Sequence, residues 1–256
     1  MFARNPMTVI CWLLASTCAQ AYQPLVTDDT GTQGKGGNQI EFTWINGRDH
    51  DRSSTPATTV ITDALPLVYT HGITDTLDLY AGGTWLRIKD GSSVTGWGNP
   101  VAGAKWRFYE REDGFSLGFK PEIQFPVSVD AEAKGLGVSN TGYSGLLILT
   151  CPTGFGVIHA NAFYARVSDD TGSLRKDQWR LSLAPVWQVD EHWKLALDLG
   201  LQTHPDRASN KQTMGYGLIG AVYSPHEKLD LSLGAQKLFD NGRDTRLASL
   251  GLTWRF

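Results

Sequence analysis

His159 and Asn161 stand two residues apart, a spacing that puts both side chains on one face of a β-strand, and a Ser, His and Asn or Asp set is what membrane-embedded lipid hydrolases use. His159, however, shares parity with charged neighbours rather than apolar ones. It would point away from the lipid from which an acyl chain arrives, and an inward histidine of that kind reads as a hydrogen-bonded filler. Cys151, beside Pro152 in what reads as a tight turn, has no neighbouring base to generate a thiolate. His50, His71, His204 and His226 lack metal-ligand spacing, and neither a phosphate-binding glycine loop nor a cysteine pair is found, so no metal or cofactor is expected. Asp49, Asp51, Asp169 and Asp170 fall in loops where a solvated mixture of charges accounts for them.

The other ionisable residues form a different pattern. Glu41, Asp78, Lys105, Arg107, Lys120, Glu122, His159, Arg180, Lys194, Asp198, Asp230 and Arg255 recur on one parity of segments whose other parity is apolar. The stretch 193–204 is the clearest, with Trp193, Leu195, Leu197, Leu199 and Leu201 on one face and Lys194, Ala196, Asp198, Gly200 and Gln202 on the other. That is the period of a strand with two unlike faces. About twelve such segments are predicted: 37–46, 58–71, 76–88, 99–110, 114–127, 139–150, 155–167, 175–188, 193–204, 212–223, 228–239 and 246–256. Pro66, Pro121 and Pro185 fall inside them, where each removes a ladder donor and predicts a bulge or local break.

The gaps alternate. The even ones are tight (Gly72–Asp75, Arg111–Asp113, Cys151–Gly154, Val189–His192, Ser224–Glu227), whereas 47–57, 89–98, 128–138 and 240–245 are longer and polar. Tyr69, Phe108, Phe115, Phe155, Trp187, Trp193, Tyr223, Trp254 and Phe256 lie near the tight turns or the C-terminus, and Trp44, Trp85 and Trp179 near the opposite ends. Short turns on one side, long loops on the other and an aromatic ring at the interface predict an all-β fold, a transmembrane antiparallel up-and-down β-barrel. The composition agrees: 256 residues with 28 Gly, 9 Trp and only 19% charged residues, and no run after the first twenty-odd residues long enough for a membrane helix.

Residues 1–21 carry Arg4, an apolar run and Ala19-Gln20-Ala21, the form of a signal peptide cleaved before Tyr22. Cleavage removes Cys11 and Cys18, leaves Cys151 without a disulfide partner, and makes the net charge of −3 one unit more negative. No nucleic-acid partner is expected from such a balance. The expected location is the outer membrane of a Gram-negative bacterium, with outer-membrane lipids as partners and Phe256 as a signal resembling that read by the barrel-insertion machinery.

The segment Pro24-Leu25-Val26-Thr27-Asp28-Asp29, followed by Leu67-Val68-Tyr69, Gly72-Ile73-Thr74-Asp75 and Leu77-Asp78-Leu79, resembles the outer-membrane family named for the meta pathway of phenol degradation. The resemblance is specific over 23–41 and 65–80 and implies a β-barrel that transports aromatic or hydrophobic compounds.

If the apolar phase faces lipid, the twelve ionisable residues face inward, since a Lys or Arg at mid-membrane on the lipid face costs about 2–4 kcal/mol. They then line a translocation path for small molecules, aromatic or hydrophobic ones among them, or a salt-bridged plug. Residues 22–36 are expected either to fold into the periplasmic mouth as a constriction, Asp28 and Asp29 meeting cations such as Lys194 or Arg255, or to form a flexible tail. The barrel, 37–256, is read as a channel or porin-like transporter. The alternatives are a closed-lumen barrel acting through its extracellular loops and a membrane-embedded lipid hydrolase.

Overall fold

The computed structural model describes residues 23–51, 57–240 and 242–256; the expected signal peptide lies outside them. The strands are β1 (Asn38–Asp51), β2 (Thr58–Gly72), β3 (Leu77–Asp90), β4 (Ser92–Trp97), β5 (Val101–Glu110), β6 (Ser116–Gln124), β7 (Gly142–Thr153), β8 (Gly156–Arg166), β9 (Asp177–Gln188), β10 (Trp193–Thr203), β11 (Thr213–His226), β12 (Leu229–Asp240) and β13 (Arg243–Arg255). Every neighbour pair is antiparallel, and β1 bonds both β2 and β13. Because β4 and β5 pair in succession along β3, they act as one interrupted strand, and the sheet closes as a twelve-strand barrel.

The period-two reading explains the burial. Along β1 the inner face carries Gln39, Glu41, Thr43, Ile45, Gly47 and Asp49, and the outer face Ile40, Phe42 and Trp44. Large apolar side chains outside are exposed on every side, including Leu67, Leu147, Leu181, Leu201, Ile219, Leu233 and Leu250. A surface so continuously apolar belongs against hydrocarbon. Rings cluster at the short-turn end: Trp193 with Tyr223 at 4.8 Å, Trp254 with Phe256 at 4.8 Å and Phe155 with Trp187 at 5.7 Å. A register shift between Arg107 and Tyr109 lets Trp106, Phe108 and Tyr109 all turn outward into the same belt.

The three prolines interrupt ladders without shifting register. Pairing lapses between Phe42↔Leu67 and Ile45↔Ala64, between Gly103↔Glu122 and Trp106↔Phe119, and between Ala196↔Val186 and Leu199↔Leu183, with the same offset on either side of each gap. They are local breaks, and the bulges lie elsewhere. Other local expectations are corrected. Residues 89–98 are largely a hairpin, β3 to β4, turning at Gly91 with φ 69°. Residues 240–245 mostly belong to the β12–β13 hairpin. Cys151, Pro152 and Thr153 continue β7 rather than turning, and β11 runs on to His226.

The long connection 125–141 holds a short helix, α1 (Val129–Ala133), capped by the Ser128 hydroxyl, and then dips inside. Leu136 is buried among Ile45, Val60, Ala64, Leu86 and Ile88. Asn99 pins this turn, donating to the Phe125 and Val138 carbonyls at 2.7 Å each and accepting from the Val138 amide at 2.8 Å.

Candidate functional site: the occupied lumen

Residues 23–37 lie inside the barrel and cross it, each stretch meeting its own receptor on the wall. At the short-turn end, the amide of Gly36 donates to the Gly72 carbonyl at 2.8 Å and that of Gly72 to Gly37 at 2.9 Å. A Cβ on Gly72 would stand 1.8 Å from the Gly34 carbonyl oxygen, so the approach requires glycine. Further in, the Gln33 amide donates to Asp78 at 3.1 Å, and Thr30 Oγ1 meets Ser116 Oγ at 2.6 Å.

The middle of the crossing is ionic. Asp28 is 2% exposed and has one carboxylate oxygen on Lys105 Nζ at 3.0 Å and the other on Lys120 Nζ at 2.8 Å. Its backbone is gripped by Asn161, whose Oδ1 accepts from the Asp28 amide at 2.6 Å and whose Nδ2 donates to the carbonyl at 2.9 Å. Asp29 adds a second contact to Lys105 at 3.1 Å. Burial alone would raise the Asp29 carboxyl, but Lys105, His159 and the Gly31 amide hold it down to about 2.

The far end is anchored by Asp198, a fully buried carboxylate on β10. It accepts from the amides of Val26 and Thr27 at 2.7 and 2.8 Å, from Thr27 Oγ1 at 2.8 Å and from the Tyr216 hydroxyl at 2.9 Å. Leu25 fills an apolar niche of Ala184, Val186, Ala196 and Leu218. Pro24 lies on Gly220 and Gly234, neighbours across β11 and β12, where a side chain at either position would occupy its space.

All twelve residues read from the sequence as lumenal stand on the inner parity of their strands. The structure gathers Lys105, Lys120, Asp78, Asp198 and His159 around the crossing segment, His159 Nδ1 meeting Thr150 Oγ1 at 3.0 Å while that hydroxyl accepts from the Thr30 amide at 3.1 Å. Glu122 takes the Tyr80 hydroxyl at 3.1 Å, and Arg180 lies over the Phe163 ring at 4.8 Å. Arg107 donates to the Asp75 carbonyl at 3.1 Å. The expected pairing of Asp28 and Asp29 with Lys194 or Arg255 is corrected: Arg255 is bound to Asp230 at 2.7 Å and Gln39 at 3.1 Å, and the aspartates meet β5 and β6. Glu41 lies on the inner face of β1, beside the segment.

Sequence reasoning missed Asn161 in this role, Ser116, Thr150, Tyr216, Ser182, whose hydroxyl oxygen lies 2.8 Å from Thr27 Oγ1, and the glycines under Pro24. It also missed the apolar part of the inner wall, which forms separate clusters, one of them Leu146, Ile148, Phe163 and Ala165. Among the described residues no group of three or more His, Cys, Asp or Glu could hold a metal ion.

The segment divides the lumen. On the short-turn side a polar cavity of about 230 Å³ is bounded by Asp28, Asp29, Lys105, Glu41, Asp230 and Arg255. On the loop side a smaller one of about 40 Å³ is bounded by Val26, Thr43, Ile45, Leu218 and Leu247.

The barrel is similar to the solved structure of an outer membrane channel from Pseudomonas putida, with 14% identity, a TM-score of 0.75, and coverage of 89% of this chain and 98% of that one. It is also similar to the translocator domain of the autotransporter NalP from Neisseria meningitidis (10% identity, TM-score 0.54, 89% of this chain and 91% of that one). A third likeness is to the NanC porin, at 10% identity and a TM-score of 0.55 over 83% of this chain and 98% of that one. No curated protein sequence matches the chain. The family model described as "Putative MetA-pathway of phenol degradation" matches residues 23–256, the lumen-crossing segment and the whole barrel together, and the chain belongs to that family.

Proposed function

We propose that the protein is an outer-membrane channel for small molecules whose gate is its own segment 23–36. One observation carries this: the segment fills the lumen through side-chain and end-on contacts, sharing no strand ladder with the wall, so it can leave without unpairing the barrel. The neutral hydrogen bonds are individually modest, about 0.5–1.5 kcal/mol each, the buried charges at Asp28 and Asp198 hold more strongly, and together they keep the passage shut at rest. The twelve inward ionisable residues line the polar part of the path, and Asp28 and Asp29 form its constriction.

The apolar inner clusters and the family suit solutes with an aromatic or hydrophobic part. Transport of this kind is passive and uses no cofactor. The partners are the membrane lipids, the solute and, through the exposed Phe256 ring, the barrel-insertion machinery. Residues 1–21 direct export and are cleaved off in the course of it.

Deletion of 23–35 tests the gate in planar bilayers. The shortened barrel is expected to conduct steadily where the full chain is mostly silent. Equal silence in both would favour a closed barrel acting through its loops.

A further inference from the structure

We propose that Lys105 and Lys120 form a seat for a small organic monocarboxylate, which the chain's own Asp28 fills at rest, and that such a solute opens the gate by taking Asp28's place. The inference rests on the channel reading and adds to it the chemical class of the opener.

Three observations carry it. The two ammonium groups come from positions directly opposite in the β5–β6 register, where the ladder lapses beside Pro121, so both reach the same point. Like charges facing each other across a sheet repel, and what lies between them is one carboxylate, each of its oxygens taken by one lysine at 3.0 and 2.8 Å. Withdrawing Asp28 alone removes that anion from a buried site, the costly way to break an ion pair. A carboxylate that arrives as Asp28 leaves avoids the cost.

Second, the seat is reachable. The 230 Å³ cavity is bounded by Asp28, Asp29 and Lys105, so a solute reaches one lysine and both aspartates before it must displace anything, and Lys120 lies directly behind Asp28. Third, the seat is built: Lys120 is 6% exposed, and its ammonium also packs 4.7 Å from the centre of the Tyr80 ring, which fixes it whichever carboxylate is bound. No bond is made or broken in the exchange; one carboxylate replaces another.

A tethered competitor acts at an effective concentration in the millimolar range, so the opener should work at millimolar levels. The test uses the refolded chain from Tyr22 onward in planar bilayers with benzoate, and benzyl alcohol as its neutral counterpart. Benzoate is expected to raise open-state occupancy several-fold and benzyl alcohol to leave it unchanged. In Asp28→Asn, with the competing charge gone, the channel should open part of the time without a solute, and benzoate should raise its open-state occupancy further, at about tenfold lower concentration than in the full-charge chain. Lys105→Gln with Lys120→Gln should abolish the benzoate response, with heat-modifiable migration on gels showing that the barrel has formed. If those lysine variants do not fold, the Asp28→Asn shift stands as the deciding measurement. An equal response to alcohol and benzoate, a response that survives loss of both lysines, or an Asp28→Asn channel that conducts but is blind to benzoate overturns the seat and leaves the channel reading intact. An Asp28→Asn barrel that never conducts counts against the channel reading itself.

Discussion

Asp29 and Gly72 show how narrowly single residues hold the crossing segment. The Asp29 carboxyl is depressed from 3.8 to about 2 when the segment is seated, so its contribution is fully present above about pH 4 and is lost as pH falls through about 2. Open-state occupancy should therefore rise between pH 4 and pH 2, and Asp29→Asn should flatten that dependence; an unchanged profile in the variant would place the titration elsewhere. Gly72 acts by absence. In Gly72→Ala a methyl collides with the Gly34 carbonyl, and the segment is expected to unseat, seen as conductance and as new protease cleavage within 23–36. The Pro-Leu-Val-Thr-Asp-Asp signature was legible in the sequence, but the lysines it meets were not. Parity tells which face of a strand a residue occupies, and nothing in it tells which strands stand across the lumen from a given aspartate.

At the scale of elements, the strands were readable because lipid on one side and lumen on the other impose a strict period of two, and Gly72–Asp75 or Val189–His192 carry turn chemistry. The period fails where a strand has no buried face. Residues of β4 are all exposed or half-exposed, so its polar run read as a loop although it pairs with β3. Connection 125–141 was opaque for the converse reason. Its two deep apolar residues, Leu136 and Val138, are too few to make a readable period, yet Leu136 enters the apolar cluster of β1, β2 and β3. Leu136→Ala should weaken the docking of this connection by about 2–5 kcal/mol, the usual range for a buried leucine. Limited proteolysis should then cut 128–138 on the loop side faster, while the ion pairs at Asp28 persist. Unaltered cleavage would mean that Asn99 and its three hydrogen bonds hold the turn unaided.

At the scale of the whole molecule, the proposed channel rests shut because a closed, lipid-facing wall encloses a removable interior segment. The wall is a closed hydrogen-bonded sheet, broken locally by three proline lapses, the β4–β5 interruption and register shifts at Arg107/Tyr109 and Tyr223/His226; the interior segment has independent receptors for each of its parts, so its exit leaves the wall intact. The most direct measurement is to lock the segment in place. Thr30 Oγ1 and Ser116 Oγ are 2.6 Å apart, so Thr30→Cys with Ser116→Cys, in a Cys151→Ser background, should form a disulfide between the segment and β6. Bilayer recordings with millimolar benzoate should find the oxidised protein silent and the reduced protein conducting; conductance of the same size and frequency in both states would contradict the account.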